Sequence, residues 1–245
     1  MARIDPKSAV DLTDPTLVEG FPGVGLVGKI AADHLVEEFE MTHHANVHCE
    51  GIPKVAVYQE GDAELHPPVR LYADEETDLV VLQSDVPIQP QAATELAGCL
   101  SGWFDEHSVT PIYLSGIPHE KGEGVPALYG LGVGDGVDLV DRAGIEAPDE
   151  TGLVSGPTGV LLNAAVEADR TAVGLVVESD PRFPDPEASR VLIKRGIEPL
   201  TGVEVSVDDL VDHAEQIRQA KERLAKRMQE AGEESTQARP IGMYQ

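Results

Sequence analysis

The chain has 245 residues, 41% of them hydrophobic and 24 of them glycine, enough to bury the core of one large α/β domain and too apolar for a disordered polypeptide. Forty-four acidic against 18 basic residues give a formal charge of -26, spread along most of the chain, which argues against a nucleic-acid surface. Such an acidic, lysine-poor surface is expected of a halophilic protein, because molar salt screens the self-repulsion of the charge.

The N-terminal "MARIDPKSAV" lacks the apolar centre of a signal peptide, and no apolar run approaches the roughly 20 residues of a membrane helix, so the chain reads as cytoplasmic. Leu17 to Phe21 is a short apolar segment that leads into "GFPGVGLVGKIAADHL". Gly23, Gly25 and Gly28 there have the spacing of a dinucleotide-binding turn, and Glu50 lies where a ribose-binding carboxylate would be sought. Lys29 to Phe39 has helical periodicity. Strands are predicted at Val47 to Glu50, Val55 to Tyr58 and Val69 to Tyr72, the last two joined by a hairpin connection. Asp78 to Gln83, a continuous apolar run, suits a buried strand.

Gln91 to His107 carries Ala92, Leu96, Cys99, Leu100, Trp103 and Phe104 at helical spacing, and "VTPIYLSG" supplies the next strand. A glycine-rich, short-stranded region follows. The stretch from Thr151 to Ser179 then reads as strand, glycine turn, helix from Val160 to Ala168, and buried strand from Ala172 to Val177. Alternation of this kind predicts a mostly parallel sheet with helices on both faces. Glu187 to Arg195 gives another helix. Ser206 and Asp209 form a capping box for a long helix over 207–231, which completes a single domain of residues 1–232. Gly232 ends the helix, and residues 233–245 form a flexible tail without periodicity.

Few groups look chemical. His43, His44 and His48 lie near Cys49, but no second ligand pair accompanies them, and Cys49 and Cys99 match no metal spacing or disulfide framework. Ser115 and His119 lack a nucleophile elbow. "SGPTG" has the composition of an anion cradle at a helix start, although a simple turn with Gly156 and Gly159, capped by Ser155 or Thr158, is the better reading. Arg218, Lys221, Arg223, Lys226 and Arg227 form a basic cluster suited to an acidic partner or to the end of a helix dipole. Met243, Tyr244 and Gln245 offer a pocket an apolar anchor, a ring with a hydroxyl and a carboxylate.

"GFPGVGLVGKIAADHLVEEF", "SGPTGVLLNAA" and "DPEASRVL", followed by the C-terminal helix, resemble the proteasome assembly chaperone family in its archaeal single-chain form, over most of residues 12 to 228. The resemblance implies a phosphorylase/hydrolase-like α/β fold, a homo-oligomer, no catalytic activity and no cofactor. Met243, Tyr244 and Gln245 look like the hydrophobic-tyrosine-any motif that proteasome activators insert between α-ring subunits of the 20S particle. About 12 flexible residues span roughly 20 Å, enough to reach such a pocket from a docked body. On this reading Gly23, Gly25, Gly28, Gly156 and Gly159 shape structural turns, and the partners are the α-ring and further copies of the chain. The opposing reading is a nucleotide- or nucleoside-binding enzyme that uses the GVGLVG loop; Pro22 and the placement of Glu19 in a buried first strand count against it.

Overall fold

The computed structural model describes residues 3–59, 61, 63–119, 124–182, 184–208 and 210. In chain order they form β1 (Arg3–Pro6), β2 (Thr16–Gly20), a 3-10 turn (Val24–Leu26), α1 (Val27–Glu38), β3 (Thr42–His48), β4 (Val69–Asp74), β5 (Leu79–Ser84), α2 (Pro90–His107) and β6 (Thr110–Pro118). Then come β7 (Leu128–Val133), α3 (Gly136–Arg142), α4 (Gly156–Glu167), β8 (Ala172–Ser179), α5 (Pro186–Leu192), a π turn (Ile193–Ile197) and α6 (Glu198–Thr201).

All eight strands join one sheet in the order β1-β3-β4-β5-β2-β6-β8-β7. Its centre, β5-β2-β6-β8, is parallel, whereas β1, β3 and β4 on one side and β7 on the other pair antiparallel. The expected parallel sheet is therefore confined to the middle. The central strands are apolar on both faces, since every residue of β5 is buried, as the continuous run in the sequence requires.

Alternation along the strands builds two cores. Val18, Val81, Ile112 and Leu114 meet α1 and α5 on one face. Leu17, Val80, Leu82 and Tyr113 meet α2 and α4 on the other. Helix ends follow local chemistry. Pro90 opens α2, where a missing N–H costs nothing, and Ser108 closes it at φ 52. Asp185 caps α5 by accepting the Ala188 N–H at 3.2 Å.

The predicted strand at Val55 to Tyr58 does not form. Val57 alone bridges His66, and Val55 and Tyr58 are 47% and 81% exposed, so no face of this segment is buried to stabilise a strand. Residues 151–155 are likewise irregular, and β3 begins five residues earlier than predicted. Helix α1 starts at Val27 rather than Lys29. Of the expected helix over 207–231 the described residues include only Val207, Asp208 and Leu210. Leu210 is buried in the α1/α5 core, and Val207 packs against that core. His34 of α1 donates from Nε2 to the Ser206 carbonyl at 2.6 Å and holds this end of the described chain to the same face.

Candidate functional site

In open α/β sheets ligands settle at the carboxyl ends of adjacent parallel strands whose connections run in opposite directions. Here those strands are β2 and β6, because the chain leaves β2 toward β3, β4 and β5 and leaves β6 toward β8. The loop at that point is Phe21 to Leu26. Gly25 adopts φ 60 and Leu26 φ 53, so two successive left-handed residues turn the chain into α1. A Cβ on Gly25 would overlap Ser179 Oγ, and one on Gly116 of β6 would lie 2.9 Å from the Val24 carbonyl oxygen. Asp185 N–H donates to the Gly25 carbonyl at 2.8 Å, and Ser189 Oγ lies 3.1 Å from the Val27 carbonyl. The chain's own Val24, Ser179, Asp185 and Ser189 thus pack around this loop and the start of α1.

The glycines of the motif do different work. Gly28 lets α1 approach the sheet, since its Cβ would stand 3.2 Å from Leu114 Cβ. Gly23 has φ -139, open to any residue, and meets nothing within 4 Å. Gly20, outside the motif, makes a still closer approach, its Cβ position overlapping Ala32 Cβ. Glu50 is exposed at the end of β3, three strands from β2, and so cannot serve a ligand bound at this loop.

Beneath the loop lies a fully buried carboxylate. Glu19, on β2, accepts from the Phe21 amide at 3.0 Å, the Leu114 amide at 3.2 Å and the Thr158 hydroxyl at 3.2 Å. Burial outweighs these three donors and pushes its carboxyl up to about 7. Its charge, after burial itself, also raises the phenol of neighbouring Tyr113. "SGPTG" is the other half of this arrangement. Neither Ser155 nor Thr158 caps α4; Thr158, in its first turn, turns inward to Glu19 instead. The anion beside this helix start is the protein's own carboxylate. Gly156 sits at φ +70, and Gly159 is pressed against the Val154 carbonyl, where a Cβ would overlap it.

On the opposite face a charged ring lies between α1 and the β4–β5 pair. Arg70, also fully buried, donates from Nε to the Tyr72 hydroxyl at 2.9 Å, from Nη1 to the Pro67 carbonyl at 2.7 Å and from Nη2 to Gln83 Oε1 at 2.9 Å. Its Nη2 lies 2.7 Å from Asp85 Oδ2. Lys29 Nζ bridges Asp85 at 3.5 Å and Asp33 at 2.8 Å, and Gln83 Nε2 closes the ring onto Asp33 at 2.6 Å. Two cations face two anions, which leaves neither cation of the ring unpaired for a phosphate.

Other sequence candidates disperse. His43 Nε2 meets Asn46 Oδ1 at 2.9 Å next to a bulge in β3, burial lowers the pKa of both His43 and His44, and no three metal-ligating side chains gather among the described residues. His119 pairs loosely with Glu178 at 3.6 Å, and no triad forms with Ser115. Among the described residues no helix is long and apolar enough to cross a membrane. The basic cluster and Met243, Tyr244 and Gln245 lie outside the described residues. Sequence reasoning passed over Glu19 and Arg70 as site residues; the available signal was a charged side chain inside an otherwise apolar strand, "TLVEG" and "VRLYAD".

These features define an α/β protein with a mixed eight-stranded sheet, a parallel centre and a switch-point loop against which more distant parts of the chain pack. The same architecture is found in Pyrococcus furiosus PbaA, described as an archaeal homolog of proteasome-assembly chaperone. That match has a TM-score of 0.80 and 25% identity over 94% of this chain and 99% of PbaA. Pyrococcus furiosus PbaB, described as an archaeal proteasome activator, shares the fold with a TM-score of 0.72 and 21% identity, over 91% of this chain and 98% of its own. An uncharacterised protein of Methanocaldococcus jannaschii is 28% identical over 222 residues, 89% of either chain. The chain belongs to the PAC2 family, whose model matches residues 17–225.

Proposed function

We propose that this protein is a non-enzymatic proteasome-associated factor, an assembly chaperone or core-particle-binding protein of a halophilic cytoplasm. The observation that carries the reading is the likeness to PbaA along nearly the whole of both chains, 94% of this chain and 99% of that one. Close packing of Val24 on Gly116 and of Ser179 and Asp185 on Gly25 at the switch point supports reading that loop as a structural turn.

In this proposal Met243, Tyr244 and Gln245 dock between neighbouring 20S α-ring subunits, Met243 as apolar anchor and Tyr244 as the specificity residue. One three-residue anchor binds weakly. A homo-oligomer presents several and raises the effective concentration of each without any new contact, so self-association is part of the mechanism. Leu210, the last described residue, is buried in the α1/α5 core. Deleting Met243 to Gln245 should abolish co-purification with 20S subunits from native lysate at high salt, while light scattering finds the same oligomer mass. Undiminished co-purification would overturn the docking role.

A further inference from the structure

Cys49 and Cys99 are the two cysteines of the chain, 50 positions apart in sequence. The fold brings them together. Gly51, at φ +84, packs on α2 so closely that its Cβ would lie 3.1 Å from Ala92 Cβ, which lays the segment leaving β3 along that helix. Seven residues on from Ala92, two turns along the same face of α2, is Cys99; two residues back from Gly51 is Cys49. Cys49 and Ala97 pack against the same core cluster as Ala92, Ala93 and Leu96. Each thiol is near enough to shift the other's ionisation, and the charge of Glu95, one turn before Cys99, acts on Cys49 as well.

Both thiols are half-buried and free. Cys49 lines an open cavity of about 700 Å3 formed by residues 47–56 with Pro67 and Pro68, wide enough to admit a small molecule. Leaving this site, the chain carries the exposed apolar side chains Val55 and Tyr58. A bond between the cysteines would tie the root of that segment to α2.

We infer that Cys49 and Cys99 are a redox modification site, converted to an intramolecular disulfide by exchange with a low-molecular-weight disulfide. Burial pushes the Cys49 thiol up to about 12, with the neighbouring Cys99 and Glu95 adding to it. Burial raises Cys99 as well, but the nearby Cys49 thiol counters it, so Cys99 is the better thiolate and attacks first. It loses its proton to solvent, bonds to one sulfur of the small disulfide and expels the other half as a thiol. Cys49, deprotonated in turn, attacks the Cys99 sulfur and expels the second half. Two protein thiols are oxidised and one small disulfide is reduced to two thiols.

The test treats the full-length protein with excess cystamine in high salt, at several pH values. The expected product has lost two hydrogens by intact mass, has no free thiol on denaturation, forms faster as pH rises, and returns to two thiols with dithiothreitol. It should melt about 5 °C or more above the reduced protein, as closing a long loop predicts. C49S and C99S should each stop at a single, persistent cystamine adduct. Wild type that carries two adducts, keeps both thiols or links one chain to another would overturn the inference.

Discussion

Glu19 and Arg70 are both wholly buried, two strands apart in one sheet, yet the protein treats their charges in opposite ways. Arg70 faces α1 and keeps a counter-ion, Asp85, whose outer oxygen is shared with Lys29. Glu19 faces α4 and has dipoles for partners, two backbone amides and one hydroxyl. Dipoles stabilise a buried charge less than a neighbouring ion does, so Glu19 exchanges its proton near neutral pH while the charge of Arg70 is balanced in place. What separates the two is the neighbour that the topology delivers to each face, not depth of burial.

The largest expected effect comes from breaking the pair. Asp85→Ala leaves Arg70 buried beside Lys29 without its anion and should cost about 3 kcal/mol or more in urea titrations at fixed salt. Adding Arg70→Met should recover part of that loss, because an apolar side chain needs no counter-ion. A double variant no more stable than Asp85→Ala would show that the ring does not hold Arg70 through charge balance.

Glu19 gives a comparable effect that depends on pH. The folded carboxyl holds its proton to about 7 against an ordinary 4.5, so the folded state binds the proton more tightly than the unfolded chain. Stability from this group is complete below about pH 4.5 and falls as pH rises through about 7, by about 3 kcal/mol. Glu19→Gln should remove that slope whatever its absolute melting temperature. An unchanged slope in the variant would assign the pH dependence to other groups.

The smallest effect separates the donors. Thr158→Val takes the hydroxyl from the charged form of Glu19 and should cost about 1 kcal/mol at pH 8 and close to nothing at pH 5. The Glu19 midpoint should also move upward, read from the pH at which stability declines. Equal losses at both pH values would make Thr158 a packing residue of α4.

Much of the fold was legible because its elements carry strong local patterns. The apolar run of β5 and the periodicity of α2 place those elements within a residue of where they lie. Val55 to Tyr58 misled because a β-prone composition says nothing of whether a face will be covered, and here none is. The glycine spacing of "GVGLVG" was equally ambiguous. Only Gly25 needs its left-handed backbone, Gly28 serves close packing, and the loop packs against Ser179 and Asp185, more than 150 residues further along the chain. "SGPTG" was readable as a turn, but the inward rotation of Thr158 depends on a carboxylate from β2.

By itself the sequence determined the acidic surface, the α/β alternation, the chief helices and central strands, and the family resemblance, because each resides in composition or in contacts a few residues apart. Strand direction at the sheet edges, the packing around the switch-point loop, the nearness of Cys49 to Cys99 and the opposite fates of Glu19 and Arg70 were decided by tertiary structure alone. The physical reason is that each depends on partners remote along the chain. Burial and charge balance follow from which strands become neighbours, and no local periodicity records that choice.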